Sequence, residues 1–226
     1  MTKTKKVQQP LAPIAEAKEK PKLRGVIHQW SFFVFLVGGV ILQLPAKGTT
    51  SHVVAAIYSV SICLMLGVSA LFHRVTWTPE RRLIVRRLDH SMIFLAVAGT
   101  YTPVAVLALS PFARNIVLTL VWVGAIGGIV TKMIWIGLPK PVSALIYVVL
   151  GWTAVGVMPQ LYSHSGVLAF SLLVTGGILY TLGAVVYAFK KPDPWPKTFG
   201  YHEIFHSFVT LAAVSHFLVV LLLITK

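Results

Sequence analysis

Apolar residues along this chain fall into seven long blocks, at about 26–44, 53–73, 88–109, 113–136, 141–161, 166–189 and 202–224. Each is near the ~20 residues with which an α-helix crosses the hydrocarbon core of a bilayer. The pattern therefore predicts an all-α polytopic membrane protein, a bundle of seven transmembrane helices. The breaks carry turn or helix-stop chemistry: Pro45 to Gly48, Thr78-Pro79, Ser110-Pro111, Leu138 to Pro141, and Lys191 to Pro196. Residues 1–24 are rich in Lys, Pro and Ala and lack the apolar content to pack, so they read as a disordered basic tail preceding a transmembrane domain at 25–226. No short repeat and no soluble domain is evident.

Composition agrees with the pattern. The chain is 56% hydrophobic and 12% charged, with mean hydropathy +0.80, too apolar for an ordinary soluble domain. A formal net charge of +14 would suit nucleic acid, but the basic residues alternate with the spans instead of forming a patch. We expect no nucleic-acid role, and no soluble protein partner is identifiable; the bilayer is the expected partner. The single cysteine, Cys63, lies within a span and has no disulfide partner in the chain.

The charges also assign a sidedness. With the N-terminus on the near side, 17 of the 20 Lys and Arg residues fall there, and only Lys47, Arg114 and Lys226 fall on the far side. The positive-inside rule places the N-terminus in the cytoplasm and the C-terminus outside. An even number of spans would spoil this segregation, so the charge distribution supports seven independently. All 6 acidic residues also lie on the near side. So do the end of span two, the start of span three and the start of span seven.

Those three ends carry the candidate chemistry. His202 and His206 begin span seven four residues apart, on one helix face. His73 ends span two with Ser69 one turn earlier, and Asp89 begins span three. Ionisable groups at membrane depth are costly enough to point to function. Three imidazoles leave one position of a four-coordinate site open, the usual form of a catalytic zinc centre. All-nitrogen ligation suits zinc best among the transition metals. Such a zinc lowers the pKa of bound water to roughly 7. Asp89 or Glu203 could then take the water's proton, and Ser69 could hydrogen-bond the water, the carboxylate or a substrate carbonyl. In structural terms, Asp89 would instead complement the helix dipole beside Arg86 or Arg87, and Ser69 would bond its own backbone. His28, His52 and His164 read as interfacial or capping residues.

His202, Glu203 and His206 also form a literal H-E-x-x-H, the zinc metalloprotease pattern in which Glu is the general base. Intramembrane metalloproteases carry it too, with a third ligand downstream. Here the only downstream candidate is His216, more than two turns on and about 1000° around the helix, off the ligand face. We read the protease match as coincidental.

Taken together the motifs have a wider likeness. Ser69 and His73, the basic loop, Arg87 to Ser91, Ala98 to Pro103, and the terminal His202/His206 pair resemble the haemolysin III branch of the progestin and adipoQ receptor family. That family includes the adiponectin receptors and bacterial haemolysin III-like proteins. The likeness covers roughly residues 24–222. It implies seven helices with an intracellular N-terminus, and zinc on the histidines matching His73, His202 and His206, with the carboxylate matching Asp89 near the metal-bound water. The wider family resembles alkaline ceramidases, which implies a zinc-dependent hydrolase of lipid amides whose substrate enters between helices from the bilayer. Asp89 would activate water and Ser69 would help hold the developing oxyanion, with Glu203 second as a base. The competing expectation is a non-catalytic protein with structural zinc, acting in membrane homeostasis, sensing or cytolysis. A compact chain without an N-terminal domain fits a bacterial inner membrane.

Overall fold

A computed structural model describes residues 20–226. The tail expectation for residues 1–24 lies, up to residue 19, outside the described residues. Lys22 and Leu23 donate backbone hydrogen bonds to Lys197 and Thr198, at 3.1 and 3.2 Å. The chain then forms α1 (Val26–Ile41), α2 (Gly48–Arg74), α3 (Pro79–Ala108), α4 (Pro111–Ile134), α5 (Lys140–Gly151), a 3-10 turn (Thr153–Val157), α6 (Met158–Ser165), α7 (Val167–Phe189) and α8 (Tyr201–Ile224). The described residues contain no strand, only an isolated bridge between Trp195 and Phe199.

Proline chemistry explains half of the helix starts. Pro79, Pro111, Pro141 and Pro159 each occupy a first-turn position, where a missing N–H breaks no helical hydrogen bond. For α3 the Thr78 side chain accepts from Arg81 N and Glu80 lies in the first turn. The helix therefore starts at Pro79, nine residues before the apolar block, and the basic stretch expected as a loop is its first turns. Two other boundaries also differ. The fifth block is not one helix, because α5 ends at Gly151 and Pro159 restarts the chain as α6. The first block ends as helix at Ile41, and Gln43 and Leu44 close turns onto Val40 and Ile41.

Six segments are long and apolar enough to cross a membrane: α2, α3, α4, the broken segment Lys140–Ser165, α7 and α8. The 16 residues of α1 are apolar but shorter than that. Helices α3, α8 and α2 are the most buried, while α4, α5 and α7 expose bulky side chains such as Leu120, Val149 and Leu182. A helical bundle with an apolar exterior and its backbone bonded within helices is built for a bilayer.

The main core joins α1, α2, α3 and α8 around Phe35, Tyr58, Ile62, Leu66, Ala213 and Val220. Tyr58 lies in its centre and donates its hydroxyl to Ala213 O at 3.0 Å, tying α2 to α8. Gly99 packs directly on Ser61, so the α2–α3 approach leaves no room for a Cβ. Beside Pro103, Thr100 and Thr102 turn their hydroxyls back to Ala96 O and Ala98 O, both at 2.8 Å. This is the packing role expected for that stretch.

Candidate metal centre

The start of α8 is held by carboxylates. Tyr201 N donates to Asp193 Oδ1 and Gly200 N to Glu203 Oε2, both at 2.9 Å. That capping fixes the register from which His202 and His206 project on one face, toward His73 in the last turn of α2. The ring centroids are 4.7 Å apart for His73 and His202, 5.1 Å for His73 and His206, and 4.5 Å for His202 and His206. One ligating atom from each lies within 4.8 Å of the others. His73 Nε2 and His202 Nε2 approach to 3.1 Å. Two nitrogens on one tetrahedral zinc stand roughly 3.3 Å apart at ordinary Zn–N lengths. The donor set and spacing fit a metal ion, and this group of three could hold one.

Ser69 and Asp89 share a cavity with two of these histidines. It is mostly apolar and reaches His202 and His206. Ser69 is buried one turn before His73, and its hydroxyl lies 2.9 Å from His28 Nδ1 while also facing Asp89. Among the described residues neither Arg86 nor Arg87 forms an ion pair with Asp89; His90 Nδ1, which meets Arg86 O at 2.9 Å, lies 3.5 Å from its carboxylate. The cavity offers about 130 Å³ and runs on past Tyr180 to His216. That is roughly ten times the space of one water.

Glu203 is directed elsewhere. One carboxylate oxygen caps α8 and the other pairs with Arg24 Nε at 2.6 Å. It is 1% exposed and does not line the cavity. The physical reason is rotational, since the residue next to a helical ligand points about 100° away from it. His216 also stays outside the ligand group, its Nε2 donating to Leu173 O at 3.2 Å.

Sequence reasoning missed His28 and Arg24. His28 is 3% exposed, and its ring stacks on that of His206 with centroids 3.7 Å apart and planes 7° from parallel. An ionisable residue just inside an apolar block was the available signal. By contrast, His52 and His164 are exposed near the start of α2 and the end of α6, bonded to Gln43 and to the Gln160 carbonyl, the helix-end placing expected of them.

A profile described as Haemolysin-III related matches residues 17–217. The chain belongs to the haemolysin III family. It is 35% identical over 194 residues to Hemolysin-3 of Bacillus cereus, covering 81% of this chain and 85% of that one. It is 34% identical over 199 residues to the Hemolysin-3 homolog of Bacillus subtilis (strain 168), with 83% and 90% covered. A more distant likeness is to the human Monocyte to macrophage differentiation factor, 26% identical over 195 residues, with 84% and 78% covered. This haemolysin III protein is thus a multi-pass membrane protein related to the progestin and adipoQ receptors, as its motifs implied. The three histidines, Ser69 and Asp89 all lie within the matched region.

Proposed function

We propose that this haemolysin III protein holds zinc with His73, His202 and His206 and hydrolyses lipid amides. The observation that carries the reading is the convergence of three imidazoles, two of which, His202 and His206, line an apolar cavity that Asp89 and Ser69 also line. Zinc bound there supplies Lewis acidity toward an acyl carbonyl and toward water. Asp89 takes the proton of the attacking water at its carboxylate. The water oxygen bonds the acyl carbon, the C–N bond breaks, and the proton passes from Asp89 to the departing amine. Ser69 presents its hydroxyl to the developing oxyanion. The acyl chain, arriving from the bilayer between helices, lies along the apolar wall and excludes water from it. Seven spans with a cytoplasmic N-terminus would put this chemistry at the cytoplasmic face of a bacterial inner membrane.

The test is turnover of a fluorescent ceramide-like lipid by the detergent-purified protein, with zinc content measured in parallel. We expect turnover that disappears in Asp89→Ala while zinc and folding remain. Zinc present with no turnover across a broad panel of lipid amides would point to a structural ion and to the sensing or lytic reading.

A further inference from the structure

The start of α1 is a wall of the metal centre. Gly25, with φ +79°, sits so close to His73 that a Cβ there would lie 2.6 Å from His73 Cβ. Three residues on, the His28 ring lies flat on that of His206 and its Nδ1 meets Ser69 Oγ at 2.9 Å. His28 makes no other side-chain hydrogen bond, since its buried Nε2 has no partner among the described residues.

His28 is not a fourth ligand. A metal bound to an imidazole nitrogen lies in the plane of that ring. The two rings are 7° from parallel and 3.7 Å apart, so the in-plane nitrogen lone pairs of His28 and His206 run in separate planes and would not converge on one ion. The stack does something else: it removes the freedom of His206 to rotate about its ring bond. The same imidazole engages Ser69, which shares α2 with the ligand His73. One side chain from α1 thus acts on a ligand of α8 and on a cavity hydroxyl of α2.

We infer that His28 is a positioning residue of the metal centre, holding the ring plane of His206 by stacking and the hydroxyl of Ser69 by a hydrogen bond. This rests on the reading that His73, His202 and His206 hold zinc. Groups that orient ligands typically change metal affinity 10–100-fold when removed. A flat ring preserves the stack, and a non-aromatic side chain does not.

The experiment compares wild type with His28→Leu, His28→Phe and His28→Gln. Zinc affinity is measured by chelator competition, and the visible spectrum of the cobalt-substituted protein reports ligand geometry. His28→Leu is expected to weaken zinc binding about 10–100-fold and to shift the cobalt bands. His28→Phe restores the stack and should return affinity to within a few fold of wild type. His28→Gln keeps a partner for Ser69 but has no ring, and should resemble His28→Leu; it carries the comparison if the leucine variant does not fold. Folded His28→Leu or His28→Gln protein with wild-type affinity and spectrum overturns the inference. So does a phenylalanine variant as weak as the others. Wild-type protein that binds neither metal overturns the zinc reading itself, which is a separate result.

Discussion

His202 and His206 could be read from spacing alone, because four residues along a helix return a side chain to the same face. Adding His73 needed only the sidedness of the charges. If the three act together, His202→Ala/His206→Ala protein should lose about one zinc per chain, measured by elemental analysis beside wild type. Retention of zinc in the double variant would remove the proposed centre. Asp89 is assigned the proton, so Asp89→Asn should lower turnover of a lipid amide about 100- to 10,000-fold with zinc content unchanged. A smaller effect would make the carboxylate a bystander. His28 was not legible in this way. Its partners, Ser69 and His206, lie on other helices, so its place just inside an apolar block marks it only as ionisable, with the same appearance as an interfacial histidine.

The N-terminus of α8 shows how an element decides what its residues do. The H-E-x-x-H spelling suggests a base, yet the helix turns Glu203 away from the ligand face and toward the backbone of Gly200 and the guanidinium of Arg24. Glu203→Gln can still accept from Gly200 but leaves Arg24 without its counter-charge. Thermal unfolding should show a loss of about 1–3 kcal/mol, while zinc content and turnover per folded molecule persist. Loss of turnover with unchanged stability would reinstate Glu203 as a base. Among the other helices, the proline-led starts were visible as breaks, but a break does not say where the next helix begins. Thr78, Pro79 and Glu80 supply a cap, a first-turn proline and a favourable charge, and these start α3 well before its apolar block. Within Lys140–Ser165 the apolar content runs on while the helix does not, since hydropathy does not register the interruption between Gly151 and Pro159.

For the whole molecule, topology is the property most open to test. Seven spans with a cytoplasmic N-terminus would put the C-terminus outside, so a C-terminal alkaline phosphatase fusion should then be active and a C-terminal green fluorescent protein fusion dark in a bacterial host. The reverse pattern would mean an even number of crossings or an N-terminus outside, and α1, at 16 residues, is the segment to examine first. The membrane class, the placing of the apolar segments and the pairing of His202 with His206 were determined by the sequence by itself. Hydropathy and helical spacing are properties of neighbouring residues, and the motifs carry the family. Only the tertiary structure decided that His28 lies against His206, that Arg24 engages Glu203, and that Ser69 and Asp89 share one cavity. Those contacts depend on how each helix is rotated about its axis and how closely it approaches its neighbours. Packing such as Gly99 against Ser61, and Tyr58 bonded to Ala213, sets these rotations between residues far apart in the chain.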